Sequence, residues 1–417
     1  VEGDDISLDT TRIEAMGATA GGTVLVGGDW QGSGTLKQAT TVSMSADSVI
    51  DASATDNGNG GKVVLWSDVH KQYSITNFGG YIYAKGGVSG GDGGKVETSG
   101  AVLQVSNGAT VSTYSVTGVN GEWLLDPNDF VITDPSWSGF NYTTSGTTTY
   151  TAQPADPNQP ILVAGVDTRS RDGGRASIRT DTIDAALANG NVRVVASGAI
   201  TLQGWWIDNT YPTYYINSTT SNKLTLSAGT SIDIVGGQYA KINLPNGSLE
   251  LLAATSITQG ADMVSFTVNN LILGSSDGGA SKPTVSLTGT TNYISNLEAS
   301  NISSLSLTNA QALVVNSNGL RVAGPVSLNT TGNLSLNGDI TFSDTSTFTS
   351  SNDILVNADI TKNAGADATL TFKAARHLSF GSVVDITSTS NKLNLVLNAD
   401  TDKSGDGFIK YSGPSIN

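Results

Sequence analysis

The sequence contains no cysteine, so neither a disulfide framework nor a thiolate metal centre is available to it. This is compatible with export, because a repetitive core accumulates stability along its stack without covalent staples. Histidine is almost missing too. His70 and His377 are the only two and lie far apart in the chain, so a catalytic triad or a histidine metal site is not expected. Charged residues make up 14% and aromatics 6% of the 417 residues, against roughly a quarter charged in an average soluble protein. Positive charge is scarce: 21 Lys and Arg face 36 Asp and Glu, a formal net charge of −15. Such a balance repels nucleic acid and anionic lipid, and nucleic acid is not an expected partner. No apolar run of about 18 residues occurs to span a bilayer as a helix. The opening VEGDDISLDT has neither a basic start nor an apolar stretch, so the expectation is either that the numbering begins after processing or that this is a piece of something longer.

What is abundant is Gly, Ser, Thr, Asn and Asp, threaded by regularly spaced Val, Ile and Leu. That spacing separates the chain from disordered sequences and predicts a folded, β-rich, turn-rich protein. A repeat is visible early. Ile-x-Ala followed by Gly-Gly-x-Val occurs at Ile13 to Val24, Ile50 to Val63 and Ile82 to Val96, and the last two copies share GxGGKV at 58–63 and 91–96. Each copy reads as a short strand, a glycine corner supplying positive φ, and a second short strand, which is one coil of a solenoid.

The second half repeats more plainly. Leu320/Val322, Val326/Leu328, Leu334/Leu336, Ile340/Phe342 and Ile354/Val356 are apolar pairs at alternating positions, so both members of a pair share one face of a strand. Leu334/Leu336 and Ile354/Val356 are 20 residues apart, which gives three strand-and-turn units per coil. The expected fold class is all-β: a right-handed parallel β-helix with loop excursions and one short flanking helix. An antiparallel sandwich would show longer strands joined by hairpin turns, whereas many segments here offer only two inward residues. The helix is expected at Asp181–Gly190, with Thr180 or Asp181 as N-cap and Gly190 as its stop. Three regions follow: coils with glycine corners over 1–133, an excursion rich in Pro, Gly and Thr plus the helix over 134–200, and further coils over 201–417.

Four segments, in order, carry a resemblance: GNGGKVVLWSD at 58–68, GGDGGKVETSG at 90–100, GEWLLDPNDFVIT at 121–133 and TIDAALANGNVRVV at 182–195. The sequence resembles the filamentous-haemagglutinin-like and high-molecular-weight adhesin-like exoproteins of two-partner secretion. The resemblance covers roughly residues 10–275 and continues beyond as coil texture. It implies a β-helical rod exported through an outer-membrane transporter partner, then held at the bacterial cell surface or released. It also implies roles in attachment, aggregation and biofilm through a glycan or protein receptor. Exposed coil ends of such a stack would be sticky strand edges, so self-association into filaments is a further expectation. The secretion domain of such proteins, with its Asn-Pro-Asn motif, is not in this sequence, which places the chain downstream of it.

Candidate chemistry is sparse. Acidic residues fall mostly at turns (Asp51, Asp56, Asp92, Asp126, Asp129, Asp339, Asp344, Asp353 and Asp359), where Asp caps backbone amides. No catalytic residues are assigned and no metal site is expected. Gly90-Gly-Asp-Gly-Gly94 resembles a calcium-binding repeat, but tandem copies are lacking, so Ca2+ is a weak alternative and no cofactor is expected. The aromatic group Trp205, Trp206, Tyr211, Tyr214 and Tyr215 is the candidate ligand-binding feature. It would form either a stacking platform for a sugar or partner or a loop folded onto the solenoid flank. Asn-x-Ser/Thr sequons at Asn141, Asn217, Asn246, Asn301, Asn329 and Asn333 are candidate glycosylation sites. The sequence thus reads as a non-enzymatic adhesin or extracellular fibre shaft. The alternatives are a polysaccharide-active β-helix enzyme and the passive stalk of a contact-dependent toxin.

Overall fold

The computed structural model describes residues 1–71, 73–133, 176–203, 214–235, 240–260, 264–412 and 415–416. Every strand pairing among them is parallel, each strand bonded to its counterpart one coil away, which makes the fold a parallel β-helix and excludes the antiparallel sandwich. The chain packs as two units, 1–190 and 191–417. Most of the excursion expected over 134–178 lies outside the described residues; its last residues form the strand Ala176–Arg179.

In the first unit, three rows of strands recur coil after coil. Asp5–Leu8, Thr41–Met44, Ile75–Phe78 and Val102–Val105 form one row. Arg12–Glu14, Val49–Asp51, Tyr81–Tyr83 and Thr110–Ser112 form the second. Thr23–Val26, Lys62–Trp66, Lys95–Ser99 and Glu122–Asp126 form the third. The Ile-x-Ala repeat maps onto the second row, where Ile13, Ile50, Ile82 and Val111 are in register, and the Gly-Gly-x-Val repeat onto the third, where Val24, Val63, Val96 and Trp123 are. A fourth copy, with Val111, Gly121 and Trp123, therefore exists in degenerate form. Trp123 is buried in this column, and its indole N–H donates to Thr98 Oγ1 at 3.0 Å, satisfying the one polar group that alternation points inward there.

The Gly-Gly pairs of the corners differ from expectation, although Gly91, which opens the GxGGKV block at 91–96, does have a positive φ, 111°. None of Gly21, Gly22, Gly60, Gly61, Gly93 and Gly94 has a positive φ. A Cβ on Gly61 would instead overlap the carbonyl of Gly22 one coil back, and one on Gly94 the carbonyl of Gly61. The corner recurs through the bonds Gly22 N to Ala15 O, Gly61 N to Ala52 O and Gly94 N to Ala84 O, at 2.7, 2.8 and 2.7 Å. Glycine is required here because coils touch backbone to backbone, not because the chain turns left-handed.

The helix spans Thr180–Leu187, starting one residue earlier than expected and ending sooner. Its N-cap is Arg179, not Thr180 or Asp181, and no side chain caps it. The strand Ala176–Arg179 runs straight into the first turn, leaving no capping loop. The Arg179 guanidinium donates to both Asp181 oxygens, at 3.1 and 2.7 Å, while Thr180 Oγ1 is buried without a hydrogen-bond partner. The helix packs against Thr110–Ser112, the edge strand of the second row, and Thr113 N donates to Asn189 O at 3.2 Å. It thereby covers a strand edge that would otherwise present open backbone groups.

In the second unit one row runs Ile200–Gln203, Ser231–Val235, Ser256–Gln259, Thr284–Leu287, Ser304–Asn309, Val326–Thr330, Ser346–Ser350, Ala368–Ala374 and Leu393–Asn398. The expected columns are present. Leu313, Leu334, Ile354 and Leu378 stack in register, as do Val315, Leu336, Val356 and Phe380, and Leu320, Ile340, Ile360 and Ile386. All twelve side chains are buried. Between residues 240 and 322 the second and third strands of a coil merge into long strands, Ala240–Ala253, Ser265–Ser275, Tyr293–Ile302 and Leu313–Val322, with a register shift between Leu244 and Ser248 marking the corner. Beyond residue 322 the two strands are separate again, as Leu334–Leu336 and Ile340–Phe342, then Ile354–Val356 and Ile360–Lys362.

Candidate functional site

Three of the five aromatic candidates, Trp205, Trp206 and Tyr211, lie outside the described residues, as does Asn141. Tyr214 and Tyr215 belong to the strand Tyr214–Asn217, whose backbone pairs with Ala240–Asn243. The remaining sequons are scattered over several coils of the second unit. Asn217, Asn246, Asn301 and Asn329 are exposed and Asn333 is half-buried. Asn246 donates to Thr219 O at 2.9 Å, Asn217 accepts from Asn243 at 2.6 Å, and Asn333 accepts from Asp353 N at 3.3 Å. Asn301 sits in a left-handed conformation, φ 56°.

The turn aspartates serve the backbone, as their positions suggest. Asp51 accepts from Ser53 N at 3.0 Å, and Asp339 accepts from Asp359 N at 3.3 Å. In the Gly90–Gly94 corner, Asp92 Oδ1 accepts from Val119 N at 2.8 Å, so this carboxylate is engaged in joining two coils. Among the described residues no group of three or more His, Asp and Glu is placed to hold a metal ion.

One strongly perturbed, buried group was not singled out by sequence reasoning. In the third row, Leu25, Val64, Glu97 and Leu124 are in register on the outer face, and Glu97 is fully buried. The segment following Thr23–Val26 folds across this face as a clasp. Gln31 N donates to Glu97 Oε2 at 2.8 Å, and Ser99 Oγ donates to Oε1 at 2.9 Å. The clasp is fixed at both ends: Lys62 pairs with Asp29 at 2.9 Å, and Trp66 Nε1 donates to Gln38 Oε1 at 2.9 Å. Gly28 and Gly32 lie flat on the Trp66 ring, where any Cβ would collide with it. Gln31 itself is held at φ 51°, a conformation costly for a residue with a Cβ.

Burial pushes the Glu97 carboxyl up to about 7, and the charges of Asp126 and Asp29 add to the rise, against the opposing bonds from Gln31 and Ser99. A carboxyl enclosed in this way meets no substrate; what it can do is take up a proton near neutrality beneath a folded strap. The signal was present in the repeat, where GGKVV in the second copy becomes GGKVE in the third. A charged residue had replaced an aliphatic one in an otherwise apolar column.

No family model matches the chain, and no curated protein does.

Proposed function

We propose that this chain is a secreted, surface-exposed attachment protein, an adhesin or a segment of an extracellular fibre, rather than an enzyme. The observation that carries the reading is the register of aliphatic columns from coil to coil, such as Leu320, Ile340, Ile360 and Ile386, beneath outward positions filled by Ser, Thr and Asn. Backbone bonds between coils and a continuous apolar interior make stiff material from short, simple repeats, and its long polar faces offer area for contact. Freedom from cysteine suits assembly outside the cell, and the four segments that resemble two-partner exoproteins point the same way. On this reading the export partner is an outer-membrane transporter and the ligand is a receptor on a host cell, a neighbouring cell or a surface.

The test is adherence. Beads coated with the purified chain are expected to bind cells or abiotic surfaces well above albumin-coated beads, and antibody against the chain is expected to suppress clumping of the producing bacterium. Beads that bind no better than the albumin control, together with unaltered clumping, would refute the proposal.

A further inference from the structure

One corner of the second unit carries a groove of about 440 Å³ that runs along the stack, not around it. Its polar lining comes from successive coils: Lys282, Asn301, Arg321, Thr341 and Asn363. Backbone bonds tie the steps together, from Ser303 N to Pro283 O at 2.8 Å, Ala323 N to Ile302 O at 2.8 Å, Ser343 N to Gly324 O at 3.2 Å, and Asn363 N to Phe342 O at 3.0 Å. Four steps at the interstrand spacing of about 4.8 Å make the groove on the order of 20 Å long. The buried side chains of Ile302 and Val322 form its floor.

The charge of this groove runs against that of the chain. No carboxylate lines it, although the net charge is −15. Lys282 and Arg321 are exposed, and no carboxylate among the described residues pairs with either. Arg321 spends one N–H on Asn318 O at 2.8 Å, which fixes the guanidinium and leaves its other donors free to bind a ligand. Nearby acids are already engaged. Glu298 accepts from the side-chain amides of Asn316 and Asn318, and Asp277 accepts from the Ser275 hydroxyl, then from Ser281 and Gly279 N, which together hold its carboxyl well below the usual range.

The geometry points to a binding site for an acidic polysaccharide, a chain of sugars bearing carboxylate or sulfate groups. Two cations on coils two steps apart, the Arg321 guanidinium held by Asn318 O, match a repeating anion, and the Asn301, Asn363 and Thr341 side chains between and beyond them match sugar hydroxyls. A peptide is disfavoured, because strand addition needs free backbone groups and those of this corner are already bonded from coil to coil. Duplex DNA is disfavoured by the charge of the rest of the surface. The inference rests on the attachment reading above and names its ligand class.

The test uses the full chain on immobilised dextran sulfate and polygalacturonate, with neutral dextran as the blank. Retention at low salt is expected on one or both acidic matrices, their comparison telling sulfate from carboxylate, and none on the blank. The double variant Lys282→Gln/Arg321→Gln is expected to bind at least tenfold more weakly, while Lys373→Gln/Lys392→Gln, which removes the same charge elsewhere, keeps wild-type affinity. Equal loss in both variants, no loss in the first, or equal retention on polyglutamate or duplex DNA would overturn the site. The two readings fail separately. Beads that adhere without binding acidic glycan defeat only the groove, whereas groove-dependent glycan binding without adherence defeats only the attachment role.

Discussion

Replacing Glu97 by glutamine is expected to remove a pH dependence from the stability of the first unit. The carboxyl is fully buried and its protonated form is the one the fold prefers, with a pKa pushed from 4.5 to about 7. Below pH 4.5 it is neutral whether the chain is folded or not, and its contribution is fully present. As pH rises from 4.5 to 7 the unfolded chain loses the proton first, and stability falls by about 1.4 kcal/mol per unit. The total is on the order of 3 kcal/mol, reached near pH 7, with a plateau above. The Asp29 and Asp353 carboxyls, held down by Lys62 and Arg376 respectively, lose their contributions only in more acidic solution, so they leave this window to Glu97. The glutamine amide would keep an acceptor for Gln31 N and lose the charge. Urea unfolding followed by tryptophan fluorescence, with Trp66 and Trp123 buried close to Glu97, should therefore show the advantage of Glu97→Gln over wild type growing by about 3 kcal/mol between about pH 4.5 and pH 8. A difference that stays constant across that range would refute the buried-carboxyl account.

Two further substitutions probe the coils. Gly61→Ala places a methyl group into the Gly22 carbonyl of the adjoining coil and should cost about 3 kcal/mol or more. Gly108→Ala, at φ 87° with nothing within 4 Å, should cost only about 1–2 kcal/mol; equal urea midpoints for the two would contradict the close-contact explanation. Lys362 is fully buried in the position that Phe342 occupies one coil earlier, and its ammonium donates to the carbonyls of Ala364 at 2.8 Å, Gly365 at 3.5 Å and Ser390. Lys362→Met keeps the volume but strands those acceptors, and should lose about 1–3 kcal/mol; an unchanged or raised midpoint would show that they find other donors.

The architecture was legible because the inward pairs alternate strictly and, between residues 320 and 360, recur every 20 residues. Leu334/Leu336 and Ile354/Val356 are in register as their spacing of 20 requires. The Ile-x-Ala and Gly-Gly-x-Val repeats likewise mark two rows of the first unit. What was misread depended on contacts between coils. The Gly-Gly pairs at the corners looked like a conformational need and are a steric one, set for Gly61 and Gly94 by the carbonyls of Gly22 and Gly61 one coil back. Thr180 had the chemistry of an N-cap but entered the helix directly from a strand, where its hydroxyl is buried. Glu97 passed as one acid among many because local composition does not reveal that a strap from residues 27–38 closes over it. The groove at Lys282 and Arg321 joins residues that stand far apart in sequence and meet only once the coils are stacked.

The equal spacing of Leu320, Ile340 and Ile360, each directly above the last, gives the chain an unusual tolerance. Removing or copying one complete winding would leave every remaining aliphatic residue with a like neighbour, and the step from Ile360 to Ile386, longer than the two before it, shows that the turns absorb extra residues while the column is kept. Length in such a molecule can therefore be revised by recombination in whole increments, with the fold conserved at each step.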